Sequence, residues 1–529
     1  MDTFLSDDLE NKGIRLLKKG KVGILRVIFS RVGIFTLLLV IQLMLPIVLV
    51  NWFSQYVPHY VGLNIAFIFA MVIYLLNSSF DPTAKITWLI LIMVAPVFGA
   101  VILLFTRTDL GHRAIKKRLE IIIDETQQSL KQDPQLKEEL NRVSPETEAL
   151  TEYMKRSGCF PIYKNTEVKY FPVGEDKFKE LLIQLEKAEH FIFLEYFIIA
   201  EGVMWGEVLD ILARKAKEGV DVRLMYDGTC EFSTLPHDYP KRLKKLGIKC
   251  KMFSPITPFV STHYNYRDHR KILVIDGRTA FTGGINLADE YINLKSRFGH
   301  WKDTAIMVQG KAAESFTLMF LQMWNIDEKV PEIEKFLGKY PIPEKQCKGY
   351  VLPYADSPLD NEKTGEMVYI DILNRAQKYV HIMSPYLILD GEMEMAIKFA
   401  AERGVEVSLI LPGIPDKIMP YSLAKTHYKS LLAAGVKIYE YTPGFVHAKV
   451  FVSDDIKAVV GTINLDYRSL YHHFECAAYM YDTECIGDIE KDFQETAAKC
   501  RQITLGNLKD IKFGYKILGV ILKAVAPLL

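Results

Sequence analysis

An excess of either sign of charge is missing from this chain. Its 529 residues carry 65 lysines and arginines against 64 aspartates and glutamates, a formal net charge of +1. No global basic field is therefore available to hold a nucleic acid. Paired cysteines are missing too. Cys159, Cys230, Cys250, Cys347, Cys476, Cys485 and Cys500 are odd in number and scattered, with no C-x-x-C pair. That argues against a disulfide framework or a cysteine zinc site and fits a reducing compartment. No His/Cys/Asp/Glu grouping has metal-ligand spacing, so the expected chemistry uses no metal and no cofactor. A cleaved leader is not expected either, because the polar, charged segment 1–31 precedes the first apolar run.

What is present is a repeated motif. His-x-Lys-x-x-x-x-Asp occurs as His269, Lys271, Asp276 and again as His447, Lys449, Asp454, each followed by a Gly and an Asn at matching offsets (Gly283 and Asn286; Gly461 and Asn464). One copy among 12 histidines is weak evidence; two aligned copies are hard to reach by chance. A histidine can attack phosphorus and form a phosphoramidate, splitting one displacement into two. A second can protonate the departing alkoxide and then deprotonate the acceptor alcohol. Lysines neutralise the charge that builds on phosphoryl oxygens. The duplication predicts one active site built from two halves.

The flanking sequence repeats as well. His190 to Ile199 and His381 to Ile388 each contain a short apolar run of strand type. Ala213 to Tyr226 and Ala400 to Leu411 each read as a helix end, a Gly (Gly219, Gly404) and a strand. Leu246-Gly-Ile-Lys and Ala434-Gly-Val-Lys repeat that punctuation before each motif. Alternating helix and strand in two copies predicts an α/β fold, with two pseudo-symmetric lobes of mainly parallel sheet and flanking helices, at 151–340 and 341–505.

Ahead of the lobes lie three apolar runs, Val32 to Val50, Val61 to Leu76 and Ile86 to Phe105. They predict transmembrane helices within 32–106, the third run fitting best. Basic residues flank both ends, Lys12 to Arg31 before and Arg107 to Arg118 after, so charge alone does not choose between two spans and three. Free cysteines favour a catalytic region on the cytoplasmic face of a multi-pass membrane protein. Residues 107–150 read as a helical connector whose Arg113, Lys116, Lys117 and Arg118 are placed to attract anionic headgroups. In 506–529, Lys509, Lys512, Lys516 and Lys523 share one helical face, and Leu508, Ile511, Tyr515, Leu518, Leu522 and Val525 another. That predicts an amphipathic helix lying on the bilayer, with packing on the core as the alternative.

The two motifs resemble the signature of the phospholipase D superfamily over about residues 160 to 505. Tyr264 to Ile272, Thr282 to Ala288, His300 to Thr304, Leu411 to Asp416, Tyr439 to Lys449 and Gly461 to Ser469 are similar, more narrowly, to bacterial cardiolipin synthases. One departure is Asp268, where that family often has Asn. The resemblance implies that two phosphatidylglycerol molecules give cardiolipin and glycerol through a phosphatidyl-histidine. It implies His269 as nucleophile and His447 as general acid and base, with Glu475 behind His269 and Asp303 behind His447. Lys271, Lys449, Asn286 and Asn464 would hold the phosphate, and Asp276 and Asp454 would order the site. Water or serine as acceptor would instead make a phospholipase D or a phosphatidylserine synthase. A nuclease and a non-catalytic membrane scaffold are the readings from other classes. The expected partners are anionic lipids and the bilayer, not nucleic acid.

Overall fold

The computed structural model describes residues 40, 41, 44, 48 and 56–528, except 79, 108, 109, 127, 159, 256–265, 344 and 361. The segment 1–31 and the run Val32 to Val50 lie outside the described residues, apart from those four positions. The second run falls within helix α1 (Val57–Leu76). The third run does not form one helix. It divides into α2 (Pro82–Val94) and α3 (Pro96–Arg107). Pro96 has no N–H to continue the ladder and pushes the preceding residue out of helical geometry, and Ala95 sits at φ −141°, ψ 79°. The expectation that Ile86 to Phe105 is the best single span is thus corrected. Among the described residues, α1 alone is long and apolar enough to cross a membrane, with mean hydropathy 1.9. Leu75, Trp88, Ile92 and Leu103 pack the three helices together. Leu63, Ile65, Phe69 and Met93 face outward.

The connector forms α4 (Leu110–Thr126), α5 (Pro134–Val143) and α6 (Pro145–Gly158). Leu136, Leu140, Leu150 and Met154 bury against Tyr350 and Leu352. Strand β1 (Tyr163–Lys164) then pairs with Val351 and Tyr350. The chain therefore crosses to the later half before it builds the earlier one, and a boundary at 151 cuts through that packing.

In the first half, β2 (Glu167–Phe171), α7 (Gly174–Glu186), β3 (Phe191–Tyr196), α8 (Val203–Lys217), β4 (Asp221–Asp227), α9 (Tyr239–Lys244) and β5 (Lys249–Phe253) lead to β6 (Arg267–Asp268). Then come β7 (Lys271–Ile275), β8 (Thr279–Gly283), β9 (His300–Lys302), β10 (Ala305–Gln309) and α10 (Ala312–Trp324). The second half runs β11 (Tyr350–Asp356), α11 (Thr364–Arg375), β12 (Tyr379–Met383), α12 (Gly391–Glu402), β13 (Glu406–Pro412), α13 (Ile418–Ala433) and β14 (Lys437–Tyr441). It continues with β15 (Gly444–Val446), β16 (Val450–Ser453), β17 (Lys457–Gly461), β18 (His473–Tyr481), α14 (Cys485–Ala497), β19 (Cys500–Ile503) and α15 (Phe513–Lys523).

The first sheet has the order β2-β10-β8-β7-β3-β4-β5 and the second β1-β11-β18-β17-β16-β12-β13-β14-β19. Apart from β1 and β19, the two orders match strand for strand. Only β3-β4-β5 and β12-β13-β14 run parallel along these orders; the other neighbours are antiparallel. The expected mainly parallel sheet is corrected to a mixed one. The helix–strand alternation visible in the sequence marks only strands joined by helical crossovers, whereas β7 returns through a tight hairpin. Inner-face residues of both sheets (Phe193, Ile272, Val274; Val450, Val452, Val460) share one core with the almost wholly buried α10.

The C-terminal helix differs from its expected setting. α15 packs along α13. Leu522 buries against Ile388, Leu423 and Tyr467, with Leu518 and Val525 beside it, and the Tyr515 ring meets Tyr421 edge-on at 5.5 Å. Gly519 lies so close to the Ser422 carbonyl that a side chain there would overlap it. The apolar face assigned to the bilayer is therefore a packing face. A different set, Phe513, Ile517, Val520 and Ile521, is exposed.

Candidate active site

Two cross-pairings between the halves set the histidines. β6 runs parallel to β18, with Asp268 opposite Phe474, and the His269 amide donates to the Phe474 carbonyl at 2.9 Å. The next residue on β18 is Glu475, whose carboxylate oxygens lie 2.9 and 3.0 Å from His269 Nδ1. The other half repeats this. β15 runs parallel to β9, with Val446 opposite Lys302, and the His447 amide donates to the Lys302 carbonyl at 2.7 Å. The next residue, Asp303, places Oδ2 2.6 Å from His447 Nδ1. Each histidine is thus oriented by a carboxylate from the other half. A carboxylate on Nδ1 fixes the tautomer in which Nδ1 carries hydrogen and leaves Nε2 for chemistry. Asp303 and Glu475 are fully buried, and both imidazoles are nearly so.

Small residues keep these carboxylates in place. A methyl group on Gly284 would overlap the Asp303 carboxylate, and one on Gly283, at φ +147°, would strike the Thr304 carbonyl. Gly461 lies equally close to Ala477 and the Cys476 carbonyl. The Asp303 carboxylate also accepts from the Thr304 amide at 2.8 Å. Thr462 Oγ1 donates to Glu475. The glycines seen after each motif in the sequence are therefore the close approaches that let β8 and β17 lie beside the carboxylate-bearing strands.

The motif lysines are buried, and each donates to the carbonyl of its own histidine, Lys271 to His269 at 2.5 Å and Lys449 to His447. The motif aspartates are elsewhere. Asp276 and Asp454 sit at φ 52° and 55° in the β7–β8 and β16–β17 turns. Asp276 accepts from the amides of Glu189, His190 and Phe191, and Asp454 from those of Gln377, Lys378 and Tyr379. Each lies five positions beyond its lysine along the strand, roughly 16 Å at the usual rise. They anchor the start of β3 and β12, an ordering role at a distance from the histidines. Asn286 is also engaged, accepting from the Ile198 amide at 3.0 Å and donating to the Tyr291 hydroxyl at 2.8 Å. Asn464 reaches Asp466 at 3.5 Å, and its buried Oδ1 has no partner among the described residues.

Burial governs the electrostatics. It pushes His269 well below its ordinary value, helped by the charges of Lys271, Lys449, His447 and Lys417. Burial and Lys449 push His447 down to about 4 against the opposing pull of Asp303. Burial also lowers Lys271 to about 8 and Lys449 to about 7. His269 is therefore neutral near pH 7, while Asp303 favours the protonated form of His447 against burial. The sign for activity follows. Neutral His269 is lost only as pH falls well below 6.5, and the lysine charges are lost as pH rises through about 7 to 8. kcat/KM measured against pH in mixed micelles is expected to fall on its alkaline side over that range. An anionic phosphate favours the charged lysines, so the limb in kcat lies higher. An alkaline kcat/KM limb near the ordinary lysine value would contradict this electrostatic picture.

Sequence reasoning missed several neighbours. Phe197 stands edge-on to His269 at 4.9 Å, and His473 lies 5.3 Å from it. Trp301, Tyr291 and Phe445 surround His447 at 5.3, 5.6 and 5.9 Å. Lys177, buried on α7, donates to the Tyr196 hydroxyl at 3.3 Å and feels the charge of Asp303. The one available signal was the position of Trp301, His473 and Phe445 within two residues of a site residue. Two groupings with metal-ligand proximity also assemble, His269–His473–Glu475 and Glu366–Asp390–Glu392. Spacing hid them because the third member of each, His269 or Glu366, comes from a distant segment. Lys363 already stands 3.6 Å from Glu366 and 3.4 Å from Glu392.

A family profile described as "Cardiolipin synthase, PLD-like domain" matches residues 181–324 and 369–497. The chain is 33% identical over 467 residues to cardiolipin synthase 2 of Bacillus anthracis, covering 88% of this chain and 90% of that one. It is 59% identical over 458 residues to an uncharacterized protein of Streptococcus mutans, covering 87% and 99%. Among solved structures it resembles the phosphatidylserine synthase of Haemophilus influenzae, with TM-score 0.56, 15% identity and coverage of 72% and 97%. That last likeness concerns the fold alone.

Proposed function

The chain belongs to the cardiolipin synthase family of PLD-like proteins, and from that premise we propose how its paired site works as a phosphatidyltransferase. The protein is a cardiolipin synthase. His269 attacks the phosphorus of one phosphatidylglycerol through Nε2. His447 gives a proton to the departing glycerol. A second phosphatidylglycerol then surrenders its alcohol proton to His447 and takes the phosphatidyl group, giving cardiolipin and regenerating His269. Lys271 and Lys449 hold the phosphoryl oxygens. The observation that carries this reading is the reciprocal pair His269–Glu475 and His447–Asp303, each made across the two halves. Matching strand orders support two pseudo-symmetric lobes that close on this one site.

The bilayer is the second element of the proposal. α1 spans it, α2 and α3 accompany α1 as part of a multi-pass anchor, and the catalytic halves lie on the cytoplasmic face against anionic lipid. The outward Leu63, Ile65 and Phe69 support contact with acyl chains. The basic cluster is partly spoken for, since Arg118 donates to the Glu328 carbonyl at 2.9 Å and Lys116 faces Glu120 at 3.8 Å. Arg113 and Lys117 remain the exposed pair.

Labelled phosphatidylglycerol given to purified protein, with and without free glycerol or serine, tests the acceptor. Cardiolipin plus released glycerol is expected. Phosphatidic acid alone would favour a phospholipase D, and a serine-dependent lipid a phosphatidylserine synthase. Turnover is expected to persist in EDTA at constant ionic strength, because proton transfer and phosphoryl binding are assigned to histidines and lysines. Loss in EDTA that a divalent ion restores would overturn that assignment.

A further inference from the structure

Transfer between two anionic lipids needs a seat for the acceptor as well as for the reacting phosphoryl group. The motif residues account for the second of these. Next to them lies a shallow, open cleft bounded by Tyr386, Asp416, Lys417, Tyr421, Tyr428 and Phe445. Phe445 is shared with His447, whose ring it meets at 5.9 Å, so the cleft opens beside the proposed base. Asp416 is fixed by the Tyr386 hydroxyl, which donates to its Oδ2 at 2.7 Å. Its charge also acts on Tyr291, the ring 5.6 Å from His447. Lys417 is exposed and stands over the Tyr386 ring at 5.8 Å. Among the described residues no carboxylate pairs with it within ion-pair distance. It is nevertheless one of the charges felt by His269. Beside it Ile414, Ile418 and Met419 are 39%, 57% and 44% exposed. They lie just before and at the start of α13, the helix on which α15 packs with Phe513, Ile517, Val520 and Ile521 outward.

We propose that this cleft is the acceptor site, with Lys417 pairing with the acceptor's own phosphodiester and Asp416 accepting from a hydroxyl of its glycerol headgroup. The inference rests on the transfer reaction given above. The acceptor's primary alcohol oxygen attacks the phosphorus of phosphatidyl-His269. A P–O bond forms and the P–N bond breaks with its electrons returning to the imidazole, while the alcohol proton passes to His447. Ile414, Ile418 and Met419 support the acyl chains at the mouth. The ligand class is therefore a glycerol-headed anionic phospholipid. Free glycerol shares the hydroxyls but lacks the phosphate that Lys417 would read.

The test uses the full-length protein with phosphatidylglycerol and labelled free glycerol together. Cardiolipin reports the lipid acceptor, and labelled phosphatidylglycerol reports glycerol. Lys417→Gln is expected to lower the ratio of cardiolipin to labelled phosphatidylglycerol by about tenfold or more, the effect of one lost charge-assisted contact. Lys417→Arg should restore most of it. Asp416→Asn is expected to lower both products together, because both acceptors present a glycerol. An unchanged ratio in Lys417→Gln, or equal loss of both products in it, overturns the acceptor assignment while leaving the synthase reading intact. Wild-type protein that exchanges glycerol but makes no cardiolipin overturns the synthase reading and the cleft with it.

Discussion

Replacing His447 with alanine is expected to stop turnover while still permitting a lipid-labelled enzyme to form, whereas His269→Ala should stop turnover and carry no label. Both losses are expected to be large, on the order of 10⁴-fold or more for the nucleophile and about 10²- to 10⁴-fold for the acid–base group. The asymmetry follows from the proposed order of events. Without His447 the first alkoxide leaves unassisted and slowly, but the P–N bond can still form; without His269 there is nothing to carry the lipid. Both side chains lie at strand ends held by backbone pairing to the other half, so truncation to alanine keeps the fold. Radiolabelled lipid retained after denaturing electrophoresis, beside steady-state cardiolipin formation, checks both expectations. Substantial turnover by either variant would remove that residue from the mechanism.

The second large effect is expected from Asp303→Asn and Glu475→Gln, each lowering kcat by about 10²- to 10⁴-fold. An amide keeps the shape but presents both a donor and an acceptor, so it no longer enforces the Nδ1–H tautomer. It also cannot stabilise the imidazolium that forms during transfer. Asp303 at present pulls His447 upward against burial. Its neutralisation should therefore drive His447 further down and move any limb that needs protonated His447 to lower pH. That shift separates a positioning role from simple loss of stability, which would lower activity at all pH values alike. A loss below tenfold with an unmoved profile would mean that the carboxylates do not tune the histidines.

Much of this site was legible because the sequence says it twice. The paired His and Lys, and the Gly after each Asp, repeat at fixed offsets, and the offsets reflect one strand–turn–strand unit used in both halves. The carboxylate partners were not legible from spacing. Asp303 and Glu475 were implied by resemblance alone, because each is joined to its histidine by strand pairing between distant segments. The ordering role of Asp276 and Asp454 was implied by resemblance, but what they order was not legible, since nothing in a linear motif tells a group at the site end of a strand from one at its turn. Their left-handed backbone and three accepted amides are tertiary facts. The mixed sheet was hidden for a similar reason: helical punctuation reveals crossovers, whereas the return strands carry buried apolar runs that read the same in either direction. At the N-terminal end, Pro96 divides the third apolar run, which apolar length alone does not reveal. The regular lysine face of the last helix drew attention to its opposite face, which packs on α13 around Gly519.

The central claim is that two half-sites handle one phosphatidyl group, carried on His269 and released by His447. Peptide mapping by mass spectrometry of His447→Ala protein, incubated with phosphatidylglycerol and quenched under conditions that spare phosphoramidates, tests it most directly. The account predicts a phosphatidyl mass on the peptide that contains His269 and on no other. An adduct on the His447 peptide of His269→Ala protein, with none on His269, would contradict it.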